Sequence, residues 1–202
     1  MIKSYNHNFL SRQELISRII NVMTPADLNL VISAYEMAEH IHEFQKRLDG
    51  TPYFWHVTRT TAIIIDELKI MEPEIICGAI LHDTLEDSDI LTPEILTFNF
   101  GPYISYLIEA LTKNYKLRDE KGDIEQKDYL DKIKNSSGDC ILIKLAERLD
   151  NFRCLEFGIK ENPIKYIEET MESYIPIAEK FESDGIKILI KLLKKERAKF
   201  LN

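Results

Sequence analysis

Glycine and proline are scarce in this chain, seven of each in 202 residues, so a turn-rich β architecture has too few places to reverse direction. Cysteine is scarcer still. Cys77, Cys140 and Cys154 lie far apart, show no metal-knuckle spacing and sit among apolar residues. They read as small core residues in a reducing compartment, the cytoplasm, and a disulfide framework is excluded. No apolar run reaches membrane-spanning length, and the N-terminal MIKSYNHNFLSRQEL lacks the apolar stretch of a secretion signal. Positive charge is also in deficit: 26 Lys and Arg against 34 Asp and Glu leave a net charge of -8. That surface does not suit a nucleic-acid backbone or an anionic membrane. A small anionic ligand remains compatible, because a metal or a local Arg/Lys cluster reverses the field within a pocket.

Helical signals fill the chain. The length and composition suit one domain over residues 1–202 with a core of its own. SRQELISRIINVM opens on a capping box, Ser11 to Glu14, and Thr24-Pro25 starts a second helix. That helix carries the stripe Leu30, Ala34, Met37, Ile41, Phe44, Leu48, which advances by fours and threes and predicts one buried face. DGTP at Asp49 to Pro52 breaks it. The pattern then predicts helices over Pro52 to Lys69 and from Pro73 through Asp87, a short helix from Thr92-Pro93, and another after Gly101-Pro102. NYKLRDEKGDIEQKDYLDKIKNSSGD, the most polar segment, reads as a loop or a helix rim. Ser136 and Asp139 are expected to cap the helix CILIKLAERLDNFRCLEFG, ended by Gly158, and amphipathic helices are expected over Pro163 to Phe181 and Asp184 to Phe200. With no alternating strand pattern and no internal repeat, the class is all-α.

Two polar constellations interrupt these apolar faces. In AILHDTLEDSD, His82, Asp83, Glu86 and Asp87 fall one, three or four residues apart, on one side of a single helix. Acidic residues at a helix C-terminus oppose the macrodipole, and His82-Asp83 directly follow the apolar Ile80-Leu81. A cation among them would offset both costs, against the plainer reading of a solvated acidic turn. One helix supplies too few ligands, so further ones are sought inside other apolar segments. His56 in TPYFWHVTRT is one candidate, or a core histidine bonded to a carbonyl. In LIKLAERLDNFRCL the buried stripe Leu142, Leu145, Leu149, Phe152 leaves Glu147, Asp150 and Asn151 on a second polar patch, or on a solvated face paired with Lys144 and Arg148. His40 and His42 read as surface or rim residues, and His7 as part of a frayed terminus.

These motifs, in this order, resemble the hydrolase domain of RelA/SpoT-type enzymes and the stand-alone small alarmone hydrolases, a branch of the HD phosphohydrolase superfamily. RLDGTPYFWH from Arg47, AILHDTLED, TPEILTFNFG from Thr92, LTK at Leu111 to Lys113, and LIKLAERLDNFR from Leu142 match that family's linked patterns over about Glu39 to Leu155. The resemblance implies an HD-domain helical bundle with motif core 39–155 and C-terminal helices 163–200. It further implies His56, His82 and Asp83 as ligands of one divalent ion, usually Mn²⁺, with Zn²⁺ and Fe²⁺ compatible with the same donors. Glu147 falls on the fourth ligand, with Asp150 as the alternative. Glu86 and Asp87 fall on the acidic pair that activates water. Arg47 falls on the residue lying against guanine, Asn151 on one contacting the nucleoside, and Lys113 and Lys144 on basic residues of the motifs. Three positions depart from the family: Glu147 replaces Asp, Val57 replaces Pro, and Leu48 replaces a frequent Lys.

The implied reaction is hydrolysis of the 3′-pyrophosphate of guanosine tetra- or pentaphosphate to GDP or GTP and pyrophosphate. A related phosphohydrolase acting on another nucleotide such as NADPH is the alternative, and a nucleotide or metal sensor without turnover is a third.

Overall fold

The computed structural model describes residues 4–113 and 126–201. It is all-α, as predicted, with no β-strand among the described residues. Helix α1 spans Arg12–Ile19, α2 Pro25–Ile41, α3 Tyr53–Ala62 and α4 Pro73–Leu81. The four-residue α5, Thr84–Asp87, leads to a hairpin of α6, Pro93–Phe100, and α7, Pro102–Leu111. Residues 126–134 form α8, and α9 is Gly138–Cys154. They are followed by α10, Pro163–Glu169, α11, Ile175–Ala178, and α12, Asp184–Leu201. Among the described residues no helix is long and apolar enough to cross a membrane.

Local chemistry sets these boundaries. Ser11 and Glu14 make the reciprocal capping box, and Thr24 accepts from the Asp27 amide ahead of Pro25. Ser137, one residue beyond the expected Ser136, caps α9 by accepting from the Cys140 amide at 3.4 Å. Ser136 instead donates back to the Ile133 carbonyl at 2.7 Å. Of the polar segment read as loop or rim, residues 126–134 are helical, and 114–125 lie outside the described residues.

The predicted stripe on α2 is displaced. Its buried face is Val31, Ala34, Tyr35 and Ala38, and the helix stops at Ile41, leaving Phe44 and Leu48 exposed in the connector to α3. That connector reverses through Gly50, whose φ of 83° suits a residue without Cβ. The Arg47 amide donates to the Thr51 carbonyl at 2.9 Å across it, and Lys46 and Pro52 form an isolated antiparallel bridge. The helix expected over Pro52 to Lys69 is α only to Ala62 and closes in a π-helical turn, Ile63–Glu67. The one expected over Pro163 to Phe181 divides at a second π-helical turn, Thr170–Tyr174. There Pro176, in the first turn of α11, has no amide hydrogen to continue the regular ladder.

Helix α9 runs through the middle, packing on α12, α3, α4 and α7. Gly78 lets α4 approach closely, since a Cβ there would stand 2.7 Å from the Ile143 side chain. The three cysteines are free and buried, as expected of core residues. A helix buried all round is normally apolar. Yet α9 buries Glu147, Arg148, Asp150 and Asn151; Glu147, Asp150 and Asn151 join the candidate site, while Arg148 packs on Tyr166 and Tyr174.

Candidate metal centre

The predicted continuous helix through His82 and Glu86 does not form. Helix α4 ends at Leu81, Asp83 turns the chain with φ −105° and ψ −3°, and α5 begins at Thr84. Side chains stabilise that break by satisfying terminal carbonyls. Thr84 donates to the Leu81 carbonyl at 2.7 Å, and His82 Nδ1 donates to the Ala79 carbonyl at 2.8 Å. A carbonyl only accepts, so the His82 Nδ1 carries hydrogen and Nε2 is left for another partner. Glu86 and Asp87 thus lie on a separate four-residue turn rather than at the C-terminus of α4.

His56, 1% exposed on α3, is oriented the same way. Its Nδ1 lies 2.6 Å from Asp150 Oδ2, which can only accept from it. Its Nε2 faces Asp83 Oδ2 at 3.9 Å, while His82 Nε2 lies 2.9 Å from the same oxygen. Donor atoms of His56, His82 and Asp83 all fall within 4.8 Å of one another. The buried His82 Nε2 has no hydrogen bond of acceptable geometry despite its short approach to Asp83. Two inward imidazole nitrogens, one of them orphaned, and a carboxylate fit a divalent cation.

Electrostatics set the two rings apart. Burial, reinforced by the Arg47 guanidinium, lowers His56 to about 4. Burial also opposes charge on His82, but the Asp83 carboxylate outweighs it and lifts the ring to about 9. Asp83 is itself held well below the usual carboxylate range by His82, against its own burial. Tyr53 adds a second hold on Asp83, donating to Oδ2 at 2.6 Å.

Around this centre the remaining motif residues form a connected ring. Asp150 sits on the Nδ1 side of His56, and both its oxygens are engaged: Arg59 donates to Oδ1 at 2.7 Å from Nε and to Oδ2 at 3.2 Å from Nη2. Arg47 approaches Asp150 Oδ2 at 3.4 Å and donates to Asn151 Oδ1. Asn151 in turn donates to Glu147 Oε1. Lys144 Nζ lies 3.1 Å from Glu147 Oε2. Lys113 and Lys144 both lie over the Tyr129 ring, at 4.8 and 5.5 Å, and the Lys113 amide donates to Glu86.

Glu147, Asp150 and Asn151 are therefore buried rather than on the solvated face weighed as the alternative. Glu147 stands outside the three-residue donor group, and its buried Oε2 has the Lys144 ammonium 3.1 Å away without a hydrogen bond of acceptable geometry. Burial would raise it, but Lys144 and Arg148 bring it down to about 2. Burial and then Asp83 push Glu86 up to about 7.

Sequence reasoning missed several residues of this ring. His42 is buried, not a rim residue, whereas His40 is exposed. His42 continues the buried face at four-residue spacing from Ala34 and Ala38, a signal concealed because the stripe was placed on neighbouring residues. No motif in the sequence marks Arg59. It is 4% exposed and also grips the N-terminal segment, through the Asn6 and Asn8 carbonyls at 3.0 Å each. That segment is not frayed at His7, which closes a short 3₁₀ turn, Tyr5–His7.

A helical bundle that converges two buried histidines and an aspartate from successive helices offers a donor group that could hold a metal ion. The chain belongs to the HD domain family, whose model matches residues 34–182. It is 34% identical over 172 residues to a GTP pyrophosphokinase of Brucella suis biovar 1, covering 84% of this chain and 22% of that protein. It is 38% identical over 154 residues to a guanosine-3′,5′-bis(diphosphate) 3′-pyrophosphohydrolase of Aquifex aeolicus, covering 76% of this chain and 22% of that protein. The chain thus spans about a fifth of the length of these curated relatives. A solved structure described as a metazoan ortholog of SpoT that hydrolyses ppGpp shares the fold, with a TM-score of 0.68. It is 24% identical, and the match covers 83% of this chain and 95% of that one.

Proposed function

We propose that this protein is a cytoplasmic, metal-dependent hydrolase that removes the 3′-pyrophosphate of guanosine tetra- or pentaphosphate, leaving GDP or GTP and pyrophosphate. The observation that carries the proposal is the convergence of His56, His82 and Asp83 beside a carboxylate, Glu86, poised near neutral pH. The name of one of the two curated relatives, a guanosine-3′,5′-bis(diphosphate) 3′-pyrophosphohydrolase, supports it. His56, His82, Asp83 and Glu147 would hold the ion, Mn²⁺ in preference to Zn²⁺ or Fe²⁺. Bound there, a divalent ion lowers the pKa of a water and neutralises phosphoryl oxygens.

The chain's own residues do the rest. Glu86 accepts the proton of the attacking water, and Asp87 orients that water. A carboxylate with a pKa of about 7 suits a base working at neutral pH. Arg47 lies against the guanine, held in place by Asn151 and Asp150. Asn151 contacts the nucleoside, and Lys113 and Lys144 receive phosphate charge. Asp150, with both oxygens taken, acts by aiming the His56 ring.

Leu48, exposed where the family often has Lys, favours a second reading: the same chemistry on another nucleotide such as NADPH. The test is incubation with guanosine tetraphosphate and Mn²⁺, with GTP and NADPH as comparison substrates, and product analysis. Pyrophosphate and GDP from guanosine tetraphosphate alone support the first reading. Phosphate from NADPH alone supports the second.

A further inference from the structure

The connector between α2 and α3 places His42 where the reaction as written has no use for it. Its side chain is 0% exposed, and its ring lies 5.1 Å from the Tyr53 ring. Its Nδ1 lies 2.6 Å from Gln45 Oε1 and 3.6 Å from Asp87 Oδ2. An amide oxygen only accepts, so His42 Nδ1 carries the hydrogen, and Nε2 is left buried without a partner. An orphaned buried acceptor is costly, and an aromatic of similar size would fill the space without one. Packing alone does not explain a histidine here.

The contact to Gln45 does. With Oε1 occupied by His42, the Gln45 amide cannot reverse, and its NH₂ is the end left for the Asp87 carboxylate, whose Oδ2 lies 3.6 Å from the same His42 Nδ1 and whose charged form Gln45 favours against its burial. Asp87 needs such a hold: its side chain is 26% exposed and sits on the four-residue α5. The backbone fixes Gln45 in turn, its amide donating to the His42 carbonyl at 3.1 Å and its carbonyl accepting from the Tyr53 amide at 2.9 Å.

We propose that His42 and Gln45 are positioning residues for Asp87, with His42 locking the Gln45 amide so that its NH₂ holds the carboxylate toward the reacting centre. The inference rests on the reading of Asp87 as part of the catalytic pair. Misplacement of a positioned group by about 1 Å costs on the order of 100-fold in rate, so His42→Phe and Gln45→Met should lower kcat by roughly 10- to 100-fold. KM and bound Mn²⁺ should stay at wild-type values. Gln45 is only half-buried, so Gln45→Met serves if His42→Phe folds poorly.

A purely structural role would multiply with any active-site change; a role exerted through Asp87 would not. Adding Gln45→Met to Asp87→Asn should therefore cost no further kcat. Wild-type kcat in Gln45→Met, or a full multiplicative loss in the double variant, overturns the proposal. A crystal structure of Gln45→Met decides the matter without activity: the Asp87 carboxylate should leave its place beside residue 45, and an unmoved carboxylate overturns the inference. If the wild-type protein releases no pyrophosphate from guanosine tetraphosphate, the functional reading fails, and that crystal structure still judges the positioning.

Discussion

His56 and Asp150 meet through a 2.6 Å contact between Nδ1 and Oδ2, 94 residues apart in the chain. The contact fixes the tautomer of His56 and leaves Nε2 to face Asp83. Arg59 and Arg47 hold the same carboxylate from its other sides. Such outer partners are typically worth 10- to 100-fold in metal affinity.

Asp150→Asn should accordingly bind Mn²⁺ about 10- to 100-fold more weakly, as read by calorimetric titration of the metal-free protein. Unchanged affinity would remove Asp150 from the metal site's support. Asp150→Ala leaves the buried Arg59 guanidinium without its carboxylate partner and should lower stability by about 3–5 kcal/mol, measured by urea unfolding.

His82→Ala or Asp83→Ala should abolish both metal retention and turnover while the helical circular dichroism persists. The two side chains cluster with His56 at the break between α4 and α5, outside the regular part of either helix. A variant that keeps stoichiometric metal and full activity would refute the site.

Glu86→Gln should keep its metal and lose roughly 100- to 10,000-fold in rate, the usual worth of proton acceptance by a placed group. A variant that loses the metal instead would make Glu86 a ligand. The pH profile carries its own sign. Glu86 accepts a proton only when ionised, so kcat/KM should fall as pH drops through about 7. Stability moves oppositely, because a carboxylate raised on folding favours the folded chain below its unfolded pKa. That contribution is lost as pH rises through about 7, and Glu86→Gln should flatten this part of the stability curve.

Arg148 is buried with its guanidinium 3.6 Å from the Tyr174 ring centroid and 4.6 Å from that of Tyr166. It donates to Thr170 at 2.6 Å and Glu169 at 2.7 Å. Lysine cannot reproduce the planar fork, so Arg148→Lys should cost about 1–3 kcal/mol in urea unfolding and leave the Glu86 pH limb in place. Wild-type stability would show that the stacked fork contributes nothing.

Sequence alone carried the helical class, most helix starts and the grouping of His56, His82 and Asp83. The class and the helix starts depend on residues close together or on a repeating pattern: a cap acts over three residues, and an apolar stripe repeats within one helix. His56 was joined to His82 and Asp83 only by the resemblance of the linked motifs to a known family. Sequence misjudged the path of the chain at His82-Asp83, because that break is made by side chains turning back on carbonyls in a packed interior. It also left open whether Glu147, Asp150 and Asn151 faced water. Polarity favours the surface by default, and only α9 lying amid α3, α4, α7 and α12 overrides that. The burial of His42 and the pairing of Asp150 with Arg59 and His56 came from contacts between distant segments. No local pattern encodes them, since a buried charge is tolerable only where a remote partner happens to fold against it.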